Sequence, residues 1–149
     1  MSQLPIEGWI CELKEGFPDL DLFPPASPDI ILATEKLVGP LQVELVELLR
    51  CSNGLACRSF RLFSAFDRKH IKKTWESLER ANDPDKTAAL TGDAEFLARF
   101  LVFADIGNGF AYFDRSDWSI WFSESDDHEL RQTTFSFREF IETMTRNAE

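Results

Sequence analysis

Histidine, cysteine and tyrosine are scarce in this chain, with two, three and one copies in 149 residues. Cys11, Cys51 and Cys57 are odd in number, form no C-x-x-C pair and have no histidine at ligand spacing. This argues against a disulfide framework and against a zinc site, and a reducing, cytoplasmic setting is expected. His70 lies in the lysine-rich RKHIKK and His128 in ESDDHE, and neither belongs to a nucleophile motif. No uncharged apolar run approaches ~18 residues, and MSQLPIEGWICELKEG has no basic region followed by an apolar one. Neither a membrane span nor a cleaved signal is expected. Positive charge is also short: 16 basic against 26 acidic residues leave a net charge of -10. Such a molecule repels phosphate backbones and anionic membrane surfaces, so the expected partners include no nucleic acid and no membrane.

What the chain has in plenty is core material. Apolar and aromatic residues make up 44% of it, with 14 Phe and 4 Trp, which suits one folded domain over residues 1–149. The charge is uneven. Residues 1–57 carry 3 basic and 9 acidic side chains, 58–80 carry 7 and 3, and 81–149 carry 6 and 14.

The spacing of Ile6, Trp9, Ile10 and Leu13 predicts a short helix within an N-terminal extension, residues 1–26. FPDLDLFPPASP, with four prolines in twelve residues, predicts an ordered connection without regular structure. Ser27-Pro28-Asp29 reads as a helix start, with Ile30, Ala33, Thr34 and Leu37 as its buried stripe. After the Gly39-Pro40 break, Leu41, Leu45, Leu48 and Leu49 form a second stripe that ends at Ser52-Asn53-Gly54, with Gly54 as the left-handed cap. SFRLFS (59–64) alternates like a strand. Asp67 can cap a helix bearing Ile71, Trp75 and Leu78 on one face and Lys69, Lys72, Lys73 and Glu76 on the other, and a short helix follows Asn82-Asp83-Pro84 and ends at Thr91-Gly92-Asp93.

RFLVFAD, FAYFD and WSIWF, separated by IGNG and RSD, predict an antiparallel meander. In its last strand Trp118, Ile120 and Phe122 point one way, and Ser119, Trp121 and Ser123 the other. The closing helix has a Ser136/Glu139 capping box, a Phe135/Phe140 staple and a Phe137, Phe140, Ile141, Met144 stripe. The fold class expected is α+β, a mainly antiparallel sheet covered by helices and closed by a C-terminal amphipathic helix.

Candidate chemistry is sparse. GNGFAYFDR, with Phe110 and Tyr112 two apart, approaches an RNA-stacking strand, but Asn108 replaces the basic residue, Arg115 replaces the last aromatic and the element order is wrong. A strand follows the glycines where a phosphate loop needs a helix. Asp114 and Asp117 flank a turn, as bend-forming aspartates do. ESDDHE lacks the EF-hand spacing and its glycine, so no metal and no cofactor are expected. Trp121 is the exception: an aromatic on a polar strand face is either covered by another element or presented to a partner.

Taken in order, SPDIILATEKLVGPLQVELVELLRCSNGL, Trp75, FLVFADIGNGFAYFD, WSIWF and TTFSFREFIETM resemble the SUKH superfamily, which includes fungal cell-wall synthesis regulators and many bacterial immunity proteins. The likeness covers about residues 27–146. Asn53, Gly54, Gly109, Asp114, Phe137 and Phe140 stand at the family's helix end, hairpin, strand end and closing helix. Two positions depart from the pattern: Gly39-Pro40-Leu41 replaces a Leu-Pro break, and Phe110 follows Gly109 where an acidic residue is usual. The resemblance implies an α+β binding domain with no catalytic residue. The function expected is a non-enzymatic, protein-binding, cytosolic immunity protein that masks a basic toxin domain, and a regulatory or scaffolding module is the alternative. The partner-binding residues expected are Trp121 as an aromatic anchor with Asp126, Asp127 and Glu129 as complementary charge.

Overall fold

The computed structural model describes residues 4–66, 77–87, 94–124 and 129–148. Its framework is one antiparallel sheet of β1 (Asp21–Leu22), β2 (Leu55–Cys57), β3 (Phe60–Leu62), β4 (Phe100–Asp105), β5 (Gly109–Asp114), β6 (Ile120–Glu124) and β7 (Arg131–Gln132). Spatial order equals chain order, so the expected three-strand meander extends in both directions. The helices are α1 (Ile6–Gly16), α2 (Pro28–Val38), α3 (Val43–Cys51), α4 (Leu78–Ala81), α5 (Pro84–Thr87), α6 (Ala94–Arg99) and α7 (Phe137–Asn147). The fold is α+β, as expected.

Pleating sends alternate side chains of β4 and β5 to opposite faces, and both faces are covered. On one, Phe103 stacks on Phe113 with centroids 4.0 Å apart, and Phe137 and Phe140 of α7 close over them. On the other, Phe100 and Tyr112 lie beneath Phe96 of α6. The register shifts between Val102 and Ala104. There the Asn82 side chain pairs with the backbone of Val102, accepting from its N–H and donating to its carbonyl, both at 2.8 Å.

The N-terminal extension is integral to the core. Ile6, Trp9, Ile10 and Leu13 are buried as expected, and the Trp9 indole donates to Glu142 of α7 at 2.7 Å. Arg138 lies over the Trp9 ring and reaches Glu44 of α3, tying three helices together.

Several expectations are corrected. The proline-rich segment does contain a strand, β1, which fits because Asp21 and Leu22 sit between prolines and pair with Ala56 and Leu55. In α2 the start is as expected, with Ser27 accepting from the Ile30 N–H, but the buried stripe is Ile31, Thr34 and Val38. Ala33 is exposed and Leu37 is 76% exposed. Apolar residues flank both stripes, so periodicity alone does not distinguish rotations one residue apart.

Helix α3 buries Leu45, Leu48 and Leu49 as predicted but ends on an extended Ser52. Gly54, with φ +90°, instead turns the chain into the unanticipated β2. A Cβ there would lie 2.8 Å from the Leu62 carbonyl oxygen. Helix α6 was likewise unanticipated, and it takes Arg99 away from the predicted strand RFLVFAD. Trp118 has φ +60° and lies in the turn before β6 rather than within it. The capping box of α7 is present, whereas Phe135 remains 38% exposed. The helix predicted from Asp67 through Trp75 and the stop at Thr91-Gly92-Asp93 lie outside the described residues.

Candidate functional site

Strand β6 runs between β5 and the short β7, with Trp121 opposite Tyr112 on one side and Gln132 on the other. The Trp121 ring meets Phe100 edge to face at 5.9 Å, at the margin of the aromatic group that α6 covers. Its indole N–H donates to the Ser119 hydroxyl at 2.9 Å, and that hydroxyl donates to Asp117 at 2.7 Å. Trp121 is therefore half-buried and held in one orientation, with part of the ring left open to solvent. An aromatic fixed in this way loses little side-chain freedom when a partner covers it.

Across the β6–β7 pairing, Arg131 sits opposite Phe122. It lies 3.8 Å from Glu124 and 3.6 Å from Glu129, whose side chain is 69% exposed. Of the four residues the sequence nominated, Trp121 and Glu129 belong to this rim, and Asp126 and Asp127 lie outside the described residues. These partly exposed ion pairs add little stability.

The turn before β6 holds Asp114 and Asp117, the two aspartates that the sequence reads as bend-forming. Asp114 is buried and accepts from the Ser116 N–H at 3.0 Å and the Ser116 hydroxyl at 2.7 Å. These bonds, with Arg99 at 3.5 Å, hold its carboxyl below the usual carboxylate range. Asp117 accepts likewise from the Ser119 N–H. Each carboxylate serves its own bend. Tyr112 and Phe110 are absorbed by the fold, since Tyr112 is buried, its phenol 2.6 Å from the Ser123 hydroxyl, and Phe110 packs toward Phe63.

A cleft of about 410 Å³ lies between the end of α2 and α4–α5, lined in part by Leu37, Val38, Phe66, Glu79, Asn82 and Asp83. Sequence reasoning placed Leu37 in the core and so missed it. Glu79 accepts from the Phe66 N–H through both oxygens, at 2.9 and 3.2 Å, and burial pushes its carboxyl above the usual range. A second hollow, about 520 Å³, lies where the β2–β3 and β4–β5 turns meet Met144 and Asn147 of α7. Among the described residues there is no group of three or more His, Cys, Asp or Glu placed to hold a metal ion, and no helix is long and apolar enough to cross a membrane. The cysteines are unpaired: Cys57 is buried, Cys51 half-buried and Cys11 exposed. No protein-family model matches the chain, and no curated protein matches it either.

Proposed function

We propose that this chain is a non-enzymatic, SUKH-like protein-binding domain acting in the cytoplasm as an immunity protein that masks a basic toxin domain. The observation that carries this reading is Trp121, half-exposed and held by the Ser119 hydroxyl on one face of β6, while Glu124 and Glu129 pair with Arg131 at the β6–β7 edge. A partly exposed, pre-oriented tryptophan is the kind of anchor on which protein-docking centres are built. The net charge of -10 supports the choice of partner, because an acidic protein accelerates its own encounter with a basic cleft of the kind nucleic-acid-cutting toxins use.

Co-expression with a toxin domain encoded by a neighbouring gene tests the reading. Cells should survive with the native chain, and the purified pair should associate, while Trp121→Ala should weaken binding about tenfold or more. Death at the same rate with and without the chain, together with no association, would remove that toxin as the target. Stable association with a host protein and no protection would assign the same rim to a regulatory or scaffolding role.

A further inference from the structure

Alternation along β6 puts Trp121 and Ser123 on one side of the sheet and Phe122 and Glu124 on the other. Arg131 is the register partner of Phe122, so its pair with Glu124 belongs to the Phe122 side. The cation that shares the packing of Trp121 is a different one, Arg99, the last residue of α6. Its guanidinium carbon lies 4.8 Å from the centre of the Phe100 ring, and the Trp121 ring meets that same Phe100 at 5.9 Å. Phe100 is itself buried, whereas the Arg99 side chain is 65% exposed and Trp121 is half-exposed. One aromatic thus carries an arginine and a tryptophan that both reach solvent.

The fold uses only part of Arg99. It supplies positive charge to the last turn of α6, and its Nη2 reaches Asp114 Oδ2 at 3.5 Å, its one polar side-chain contact among the described residues. The other oxygen of Asp114 already accepts twice from Ser116. A guanidinium has five N–H donors in a planar fork, and the rest of this one is unmatched by any described acceptor. Ring contact and the single hydrogen bond restrain Arg99 much as Ser119 restrains Trp121, so little freedom is lost when a partner arrives. Arginine and tryptophan are also the residue types that most often carry binding energy at protein interfaces.

We infer that Arg99 is the second contact residue of the Trp121 site, and that the partner protein sets a carboxylate on its guanidinium beside an apolar side chain on Trp121. This rests on the reading of Trp121 as a docking anchor. The planar fork fits a carboxylate through two parallel hydrogen bonds. It fits phosphate as well, but a chain of net charge -10 repels nucleic acid. Side chains two residues apart on an extended partner segment stand about 7 Å apart, close enough to serve both contacts. Overall charge and local contact then act at different stages. The summed acidity draws in a basic partner and sets the association rate, while the guanidinium–carboxylate pair sets how long the complex lasts.

A random dodecapeptide phage library, panned on the immobilised full chain and depleted on the Trp121→Ala chain, supplies Trp121-dependent ligands. Their sequences should share an Asp or Glu within two residues of an apolar residue, against the bias toward basic peptides that an acidic target imposes. With one such peptide in surface plasmon resonance, Arg99→Gln should raise the dissociation rate about tenfold and leave the association rate within about twofold. Arg99→Lys, which keeps the charge but not the fork, should recover only part of the loss. Replacing the peptide's acid by its amide should match Arg99→Gln, and the two changes together should cost no more than either alone. The peptide change leaves the chain native, so it reads the contact even where an Arg99 variant folds poorly. Trp121-dependent peptides without a recurring acid, or with dissociation unchanged by both Arg99→Gln and the amide, would overturn the Arg99 assignment and leave Trp121 as the anchor. A library that yields no Trp121-dependent ligand would remove both.

Discussion

Buried Asp114 and half-buried Glu79 are carboxylates whose surroundings push them in opposite directions, and each leaves its own signature in stability. The Ser116 N–H and hydroxyl favour the charged form of Asp114, so its folded pKa is depressed. Its contribution is complete above the ordinary Asp value and is lost as pH falls through the depressed one. Asp114→Asn should lower stability at neutral pH by about 1–2 kcal/mol and flatten the acid limb of a urea-midpoint titration. Glu79 behaves oppositely: burial raises its folded pKa, so the native state keeps a proton that the unfolded chain releases. Stability should decline as pH rises from the ordinary Glu value through the raised one, and Glu79→Gln should remove that decline in the same titration. Asn53 is another buried polar residue, its amide accepting from Ala65 N–H and donating to Ala65 carbonyl at 2.8 and 2.9 Å. At this scale local partners were legible and distant ones were not. Asp114 bonds two residues away, within reach of a turn rule, whereas Glu79 and Asn53 bond 13 and 12 residues away, across elements whose juxtaposition only folding creates.

Among elements, α7 and the β5–β6 pairing invite direct tests. The α7 box joins the Ser136 hydroxyl to the Glu139 N–H and the Glu139 carboxylate to the Ser136 N–H. Ser136→Ala should cost about 1 kcal/mol in chemical denaturation, because an orphan donor at the helix start loses its partner. Gly109 is more severe. A Cβ there would fall 1.8 Å from the Ser123 carbonyl oxygen, which belongs to β6 backbone and cannot swing aside. Gly109→Ala should therefore part the end of β5 from β6 and lower stability by about 2–4 kcal/mol, with increased amide exchange at Phe110 and Ser123. The capping box, the α1 face and the α3 leucines were legible because each is a local pattern with one buried solution. The α2 rotation was not, since Ile30, Ile31, Leu37 and Val38 offer two solutions and only contact with the rest of the molecule selects one. The two-residue strands β1 and β7 were invisible for the same reason, being too short to carry a period and defined by what they pair with.

For the whole molecule, the sheet's two covered faces make the aromatic core the chief store of stability. Phe103→Ala, which empties the place between Phe113 and Phe140, should cost about 3–5 kcal/mol in urea unfolding. Partner association should respond to a different variable. If acidic charge steers it, the association rate should fall steeply as salt rises past physiological strength, where screening shortens to ~8 Å, while dissociation changes little. A salt-insensitive rate would shift the weight of binding from charge to the apolar contact at Trp121. Composition, capping residues and hydrophobic period by themselves determined the acidic character, the α+β class, the central meander and the closing helix, because each follows from local chemistry or from counting. The tertiary structure alone decided which side of α2 faces water, how Trp121 is half-covered and tethered, and how Glu79 comes to lie half-buried against the Phe66 N–H. Those outcomes depend on surfaces brought together from distant parts of the chain, and no window of sequence contains both sides of such a contact.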